Sequence, residues 1–336
     1  MANDQWHPGQ LLQMSGSYWQ TFTLHAGVKL DVFTCIGNEG KSAAAVANEL
    51  GTNVDGTTRL LDALAAMELI LKQEDTYHNT LAGSSYLSKT SDQYIGNMIM
   101  HHHHLVESWS RLDEAVTNGA PISDEKPIDE DARREHFLMG MYNNASLLAP
   151  ELVKTIDLSG RNTLLDLGGG PGTFAIHFCM ENPQISATVF DLPTTRPFAE
   201  KTITRYQLSD RIQFVGGDYY DDQIPGQYDA VWISHIIHSE TPTFAQRLIQ
   251  KAKDVLVPGG IVLIHDFFLN DNATGPLFPA LFSLNMLVRT DEGRSYSQNE
   301  MTAMLEKAGF DQIQRLEFKG PTESGIMTAV KLSLIH

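Results

Sequence analysis

A glycine-rich stretch supplies the first set of residues suited to chemistry. Residues 164–174 read LLDLGGGPGTF, an apolar strand followed by a tight glycine turn and the start of a helix. Glycine is required where the backbone has a positive φ or where a ligand approaches closely. Such a turn also presents free backbone N–H groups at a helix N-terminus. The stretch therefore predicts a ligand site around Asp166, Gly168, Gly170 and Gly172.

An acidic residue follows the next apolar run, at the position where nucleotide-binding folds hold a ribose. Asp191 ends the run over residues 187–190 and lies 25 residues after Asp166. An acid at the end of the second strand of such a unit accepts hydrogen bonds from the ribose diol. We therefore expect the glycine turn and Asp191 to bind a nucleoside-containing ligand.

A polar loop, Gly-Gly-Asp-Tyr-Tyr over residues 216–220, follows the third predicted strand. Its Asp218 is suited to accept a hydrogen bond from the exocyclic amine of adenine, and its Tyr219 is suited to cover the ring. An ordinary polar loop explains the same residues without a ligand.

Two histidines, His235 and His238, follow the fourth predicted strand in the run YDAVWISHIIHSE. Histidine is the side chain whose ordinary pKa allows proton transfer near neutral pH. A carboxylate would orient the ring and stabilise its charged form, and Asp266, at the end of the next strand, is the nearest candidate. A structural histidine explains the pattern equally well.

The elements that position these residues alternate between strand and helix from residue 163 onward, which predicts an α/β fold with a doubly wound, mostly parallel sheet. The expected strands are 163–167, 186–191, 212–215, 228–234 and 261–266, with helices centred on residues 178, 203 and 248. Two late runs, 313–318 and 326–332, are expected to pair antiparallel at the sheet edge and complete seven strands. Ligands bind beyond the carboxyl ends of the strands in such sheets, where all these candidates fall.

Residues 1–100 predict a mainly helical domain. Apolar residues recur at helical spacing over 11–32, 41–51 and 55–70, with Gly51 as a C-cap and Asp55 as an N-cap. Residues 70–80, ILKQEDTYHNT, predict two short strands around a polar turn. The order helix, turn, helix and wing is that of a winged helix.

A winged helix raises the alternative of a DNA-binding regulator. Residues 1–100 carry five Lys or Arg against ten Asp or Glu, and the second helix offers Arg59 against Asp55, Asp62 and Glu68. A helix that enters the major groove beside phosphates needs an excess of Lys and Arg over Asp and Glu. The charge favours a packing or dimerisation module.

Composition limits the remaining classes. The chain has 336 residues and a net charge of −17, which makes nucleic acid and anionic membranes poor partners. Its two cysteines, Cys35 and Cys179, are far apart, which favours a reducing compartment. No signal peptide opens the chain, and no apolar run approaches the ~20 residues of a membrane helix. We expect a cytoplasmic protein.

The middle of the chain predicts helices over 94–120 and 135–156, joined by an acidic loop over 121–133. Phe137 is expected to face inward from the second helix. Four consecutive histidines, 101–104, point about 100° apart on a helix, so no more than two can share a metal ion.

The expected boundaries are a dimerisation domain over 1–100, a helical linker or lid over 101–158, and a ligand-binding domain over 159–336.

The motifs together resemble the S-adenosylmethionine-dependent small-molecule O-methyltransferases. The turn matches Asp-x-Gly-x-Gly-x-Gly of class I methyltransferases better than Gly-x-Gly-x-x-Gly, whose last glycine would fall at Thr173. Further matches are Asp-Leu-Pro at 191–193, Gly-Gly-Asp at 216–218, the Val-Pro-Gly-Gly turn at 257–260 and GRSYSQNEMTAMLEKAGF near the end. The resemblance to this family extends over nearly the whole chain.

The resemblance implies a Rossmann-like methyltransferase domain, S-adenosylmethionine as methyl donor, no metal, a small-molecule methyl acceptor and a homodimer formed through the N-terminal domain. Counted from Asp229, it implies His238 as general base with Asp266 as its supporting acid. The implied cofactor-binding residues are Asp166, Gly168, Gly170, Gly172, Asp191, Leu192, Gly217, Asp218, Tyr219 and Ser234. The implied substrate-binding residues are Met141, Met286 and Arg289. Phe282 is a further candidate, because Phe278, Phe282 and Met286 recur at i, i+4 and i+8 as an apolar helical stripe that forms either core or the floor of the acceptor pocket.

Two positions depart from the family pattern. Ser239-Glu240 replaces the Asp-Trp that usually follows the base, and Ser295 stands where plant members have a second catalytic acid. A reduced acid–base apparatus leaves open methylation of sulfur, nitrogen or carbon. It also leaves open a relative that binds the ligand but catalyses another reaction.

Overall fold

The computed structural model describes residues 6–122 and 130–332. The chain divides into two compact units. The first combines Met1–His104 with Glu135–Asn143, and the second combines Leu105–Arg134 with Asn144–His336. Within the described ranges, no helix is both long and apolar enough to cross a membrane.

The first unit is mainly helical with one small sheet. Its elements are α1 Pro8–Ser15, α2 Tyr18–Lys29, α3 Val32–Ile36, β1 Lys41–Ser42, α4 Ala43–Leu50, α5 Val54–Ala66, β2 Ile70–Gln73 and β3 Thr76–Asn79. The strands pair antiparallel in the order β1-β3-β2, and the β2–β3 hairpin stands where the wing is predicted. Phe33, Leu61, Leu64 and Tyr77 form part of its core.

The caps of α4 and α5 show one correct prediction and one error. Gly51 ends α4 with a positive φ of 64°, as expected, and its N–H donates to the carbonyl of Ala47. Asp55 does not cap α5. Asn53 does, because its side-chain oxygen accepts from the Gly56 N–H at 3.0 Å, and Asp55 instead pairs with Arg59 one turn later.

The region around residues 94–156 contains three helices rather than two. They are α6 Gly96–Trp109, α7 Leu112–Asn118 and α8 Glu130–Leu152, and α8 continues into a 3-10 turn, Val153–Thr155. The expected loop over 121–133 is wrong at its end, since α8 begins at Glu130; residues 123–129 lie outside the described ranges. Phe137 is 46% exposed, so its inward placement is also wrong.

The second unit contains the predicted seven-stranded sheet. Its strands are β4 Thr163–Leu167, β5 Ser186–Asp191, β6 Ile212–Gly216, β7 Tyr228–Ser234, β8 Leu256–Asp266, β9 Asp311–Arg315 and β10 Gly325–Val330. Its further helices are α9 Thr173–Glu181, α10 Arg196–Arg205, α11 Pro242–Val255, α12 Leu277–Arg289 and α13 Gln298–Lys307. The order is β6-β5-β4-β7-β8-β10-β9, with β10 antiparallel to both its neighbours. The 257–260 turn lies inside β8, where the register with β7 shifts.

Alternating side chains of the central strands pack into two cores, one on each face of the sheet. Val231 and Ile233 of β7 belong to one core, and Ala230 and Trp232 to the other. Trp232 is fully buried against Phe178 of α9. Strands buried on both faces require continuous apolar runs, which is why the sequence predicts them well. The chain reverses its strand order at β4, so the carboxyl ends of β4 and β7 flank the point where such sheets bind ligands.

Replacing Asn53 with Ala should destabilise the first unit by about 1 kcal/mol, because the Gly56 N–H then loses its side-chain partner. Asp55→Ala is the matched control, since its ion pair with Arg59 joins two exposed side chains and should contribute far less. Urea unfolding of both variants measures the difference. Equal destabilisation by the two would contradict the assignment of Asn53 as the cap.

Candidate active site

The glycine turn follows β4 and leads into α9. Gly168, Gly170 and Gly172 all have positive φ, at 69°, 54° and 77°. A Cβ on Gly168 would lie 2.6 Å from the side chain of Ile236, so a larger residue there would displace its neighbour. A Cβ on Gly170 would meet nothing within 4 Å, which shows open space beside the turn. Close packing and space for a ligand therefore coexist in one loop.

Asp166 lies beneath the turn at the end of β4. Its Oδ2 accepts from the Ala175 N–H in the first turn of α9 at 3.1 Å. Burial raises the pKa of Asp166 to about 7, and the nearby Asp191 adds to the shift. A Cβ on Gly169 would lie 2.6 Å from this carboxyl group, so the loop closes over Asp166 only with glycine there. Asp166 supports the loop from below.

Asp191 contacts the glycine turn directly. Its Oδ2 accepts from the Gly170 N–H at 2.8 Å, and its Oδ1 accepts from the Leu192 N–H and the Thr195 hydroxyl. Burial raises its pKa despite these hydrogen bonds. The Leu192 side chain is exposed. The structure thus brings together the turn and the acid that the sequence pairs with it.

The loop after β6 is fixed by a buried carboxylate. Glu240 is 3% exposed, and its Oε1 accepts from the hydroxyls of Tyr219 and Tyr220 at 2.8 and 2.7 Å. Burial and this carboxylate raise the pKa of Tyr220 to about 12 and that of Tyr219 further. Lys251 donates to the carbonyls of Tyr219 and Tyr220. Both hydroxyls therefore remain protonated donors.

The same loop contains two other predicted residues, Asp218 and Gly217. Asp218 accepts from the Tyr220 N–H at 2.8 Å. Gly217 is buried, and a Cβ there would lie 2.4 Å from the ring of Phe190. Sequence reasoning missed the role of Glu240, for which the only signal is that it replaces a tryptophan of the family pattern.

His238 and Asp266 form a buried hydrogen-bonded pair. The Nδ1 of His238 lies 2.6 Å from the Oδ1 of Asp266, and the backbone N–H groups of His238 and Phe267 also donate to this carboxylate. Burial alone would raise the pKa of Asp266, but His238 and His235 lower it well below its usual range. Because the carboxylate holds a proton on Nδ1, the Nε2 of His238 carries the lone pair.

His235 lies beside this pair without a hydrogen bond to it. Its Nδ1 is 3.7 Å from the Oδ1 of Asp266, which is too long for a hydrogen bond. In the described part of the chain this buried nitrogen has no hydrogen-bond partner. The residue has a positive φ of 55°, and its ring packs against Phe267 and His265. Burial lowers its pKa, so the ring is neutral near pH 7.

Ser234 ends β7 within a chain of three polar side chains. Its hydroxyl lies 2.9 Å from the Nδ1 of His265, whose Nε2 lies 2.9 Å from the hydroxyl of Ser324. Burial holds the pKa of His265 well below its usual value, so one ring nitrogen donates and the other accepts. The neutral ring thereby orients the Ser234 hydroxyl.

Phenylalanine rings surround His238. Phe282 meets its ring edge-to-face with centroids 4.7 Å apart, and Phe267 packs against both Phe282 and Phe278. One turn further along α12, Met286 is buried. The predicted apolar stripe of α12 therefore places an aromatic ring against His238.

The remaining candidates lie outside this cluster of rings. Arg289 donates to the Ser108 hydroxyl at 3.2 Å. Met141 is half-buried in the first unit. Ser295, which stands at the position of the second acid, is buried and donates to the carbonyl of Pro279. This hydrogen bond ties Ser295 to the backbone of α12.

Family models match most of this chain. One described as an O-methyltransferase domain matches residues 111–311, and one described as an O-methyltransferase dimerisation domain matches residues 12–89. The chain belongs to the O-methyltransferase family. The 3-hydroxy-5-methyl-1-naphthoate 3-O-methyltransferase of Streptomyces sahachiroi is 31% identical over 330 residues, which cover 96% of this chain and 95% of that protein.

Solved structures agree with this membership. An O-methyltransferase family protein from Burkholderia thailandensis has a TM-score of 0.86 and 27% identity, covering 98% of this chain and 99% of the other. The structure of PigF with SAH has a TM-score of 0.87 and 25% identity, covering 97% and 100%. This methyltransferase is S-adenosylmethionine-dependent. These matches do not favour the DNA-binding alternative or methylation of atoms other than oxygen.

The titration of Asp166 predicts a pH dependence of stability in the ligand-free methyltransferase. Between about pH 4 and 7 the folded protein keeps a proton on Asp166 that the unfolded chain releases. Stability therefore falls as pH rises through this window, with a slope approaching ~1.4 kcal/mol per pH unit from this group. Asp166→Asn should remove that slope, as urea unfolding between about pH 5 and 7 would show.

The exposed Asp210 offers a control, since Asp210→Asn should leave the slope unchanged. The same slope in Asp166→Asn as in the parent protein would contradict the raised pKa.

Proposed function

We propose that this enzyme methylates the hydroxyl group of a small molecule, with His238 as the general base. The observation that carries this proposal is the 2.6 Å contact between His238 Nδ1 and Asp266 at the carboxyl ends of β7 and β8. With its proton held on Nδ1, the ring presents Nε2 to accept a second proton. Family membership supports a hydroxyl acceptor.

The donor site is proposed to lie along the glycine turn. The fit rests on the open space beside Gly170 and on the carboxylate of Asp191, whose Oδ2 retains one lone pair for a ribose hydroxyl. The donor supplies a methyl group on a positively charged sulfur. The proposed contacts are Asp166, Gly168, Gly170, Gly172, Asp191, Leu192, Gly217, Asp218, Tyr219 and Ser234. Glu240 would hold the Tyr219 ring in place to cover the adenine.

The proton step follows from the His238–Asp266 pair. As the acceptor oxygen attacks the methyl carbon in line, Nε2 of His238 takes the hydroxyl proton and the ring becomes an imidazolium. The Asp266 carboxylate stabilises that charge through the Nδ1 hydrogen bond. The products are the methyl ether and S-adenosylhomocysteine, and the proton later passes from His238 to water. Holding the reactants in line supplies much of the remaining rate.

The acceptor is proposed to lie against the aromatic surface around His238. Phe282 contacts the ring of the base, and Met286 is buried one turn further along α12. Met141 and Arg289 are proposed contacts through the family resemblance alone. An aromatic surface favours a flat apolar acceptor.

We further propose a homodimer formed through the N-terminal helices. An apolar surface on α1 and α2 is exposed in the single chain and comprises Leu11, Leu12, Met14, Tyr18, Trp19 and Phe22. A surface of this kind marks a protein interaction site, and the matched dimerisation domain includes residues 12–89. The two cysteines, Cys35 and Cys179, are free and buried, which supports a reducing cytoplasm as the place of action.

Replacing His238 with Ala should lower kcat/KM by about 10²- to 10⁴-fold, because the attacking oxygen then loses its base. Calorimetric titration with S-adenosylhomocysteine should show cofactor affinity within about twofold of the parent. Asp191→Ala should give the opposite pattern and weaken cofactor binding at least about tenfold, since charge-assisted hydrogen bonds are lost.

Turnover can be followed by mass shift with a hydroxyaromatic acceptor found by screening, and His78→Ala in β3 serves as the matched control. Undiminished turnover of His238→Ala would remove this residue from the mechanism.

Replacing Trp19 with Glu should convert the dimer to a monomer, since Trp19 is 70% exposed on the apolar surface and a charge buried there opposes association. Sedimentation velocity measures the outcome. Asn118→Glu on α7 adds the same charge at an exposed site of the second unit and should leave the dimer intact. A dimeric Trp19→Glu protein would contradict this interface.

A further inference from the structure

Three side chains that can bind a metal ion converge at the carboxyl ends of β7 and β8. His235, His238 and Asp266 each offer one ligand atom, and these atoms lie within 4.8 Å of one another. Within the described ranges, no other group of three His, Cys, Asp or Glu residues meets this geometry. Two imidazoles and a carboxylate are a ligand set that suits Zn²⁺ and its neighbours Co²⁺, Ni²⁺ and Cu²⁺.

His235 is the member of this group that the proposed methyl transfer does not use. Its Nδ1 is buried without a hydrogen-bond partner in the described chain, although it lies only 3.7 Å from Asp266. A buried nitrogen left unpaired costs stability. Part of the ring reaches solvent, since the side chain is 27% exposed, while Nδ1 itself is buried. A metal ion between His235 Nδ1 and the Asp266 carboxylate would give this nitrogen a partner.

We propose that His235, His238 and Asp266 bind a divalent transition-metal ion of the zinc class, and that the bound ion inhibits methyl transfer. The ion acts here as an inhibitor and not as a cofactor. The binding claim depends only on the three side chains. The inhibition claim rests on the proposed role of His238 as general base.

Binding leaves the proton count of the ring unchanged. His238 gives up the proton on Nδ1 and takes one up on Nε2, and the freed Nδ1 lone pair, the Asp266 carboxylate and His235 become ligands as the ion releases water. Ligand atoms around a tetrahedral Zn²⁺ lie roughly 3.3 Å apart, given bonds of about 2.0–2.1 Å. The present separations from Asp266, 2.6 Å for His238 and 3.7 Å for His235, bracket that value. All three ligand atoms lie within 4.8 Å of one another, so side-chain rotations must bring the widest separation toward this value.

A bound metal ion would prevent His238 and Asp266 from acting as base and supporting acid. A ring that binds the ion through Nδ1 must carry its proton on Nε2, and it then has no lone pair for the acceptor hydroxyl. The Asp266 carboxylate would then balance the charge of the metal ion and would no longer stabilise a positively charged His238 ring. The second histidine thereby makes the enzyme sensitive to free transition metals.

The test is a titration of the full-length, metal-free protein with Co²⁺, whose visible d–d absorption reports a site with protein ligands. Zn²⁺ affinity is then measured by competition with a chromophoric chelator. We expect one high-affinity ion per chain. His235→Asn should weaken its binding at least about tenfold. Asn is the suitable replacement because it tolerates the positive φ of this position.

The histidine run 101–104 is the obvious competing site, so His102→Asn is the matched control and should leave the affinity unchanged. Absence of a Co²⁺ spectrum, or equal affinity in His235→Asn and the parent, would overturn the binding claim. A loss of affinity in His102→Asn alone would place the ion on the histidine run and overturn it as well.

A turnover assay tests the inhibition separately. Zn²⁺ should inhibit the parent enzyme, and its inhibition constant should rise in His235→Asn by the factor seen in binding. Stoichiometric Zn²⁺ binding at the site with unchanged turnover would overturn the inhibition and also speak against His238 as base. The Co²⁺ spectrum would still report binding in that case, so the two claims fail independently.

Discussion

The buried carboxylate of Asp266 is the constraint on which the rest of the site depends. A carboxylate removed from water is costly unless hydrogen bonds and opposite charge compensate it. Asp266 obtains these from His238 Nδ1 and from the backbone N–H groups of His238 and Phe267. The parallel register of β7 and β8, with Ser234 opposite His265, brings these partners to the same edge. Asp266 thus orients the His238 ring and fixes the loop that carries it.

The short segment after β7 connects this pair to the glycine turn and to the loop after β6. Ile236 packs against the glycine turn, where a Cβ on Gly168 would lie 2.6 Å from it, and Glu240 fixes Tyr219 of the opposite loop. Between them lies His238 on a 3-10 turn, Ile237–Ser239. A displacement of this segment would move His238, the glycine turn and Tyr219 together. Glu240, which accepts from Tyr219 and Tyr220, stands at the position of the tryptophan in the family pattern.

The sequence predicts the sheet well and the contacts within the site only in part. Buried parallel strands need continuous apolar runs, so the bounds of β4, β5 and β7 follow from local pattern. The cap of α5 does not, because Asn53 and Asp55 are both good acceptors and the path of the preceding chain decides between them. Glu240 escapes prediction for another reason: its hydroxyl donors lie about 20 residues away, on a different loop.

A double-mutant cycle on His238→Ala and Asp266→Asn tests the central claim most directly. Single-turnover methyl transfer is measured for the parent, both single variants and the double variant, with cofactor binding checked in each. If Asp266 acts only by orienting and stabilising His238, the double variant will be no slower than the slower single variant. A double variant slowed by the product of the two single effects would contradict this, since the two residues would then act independently.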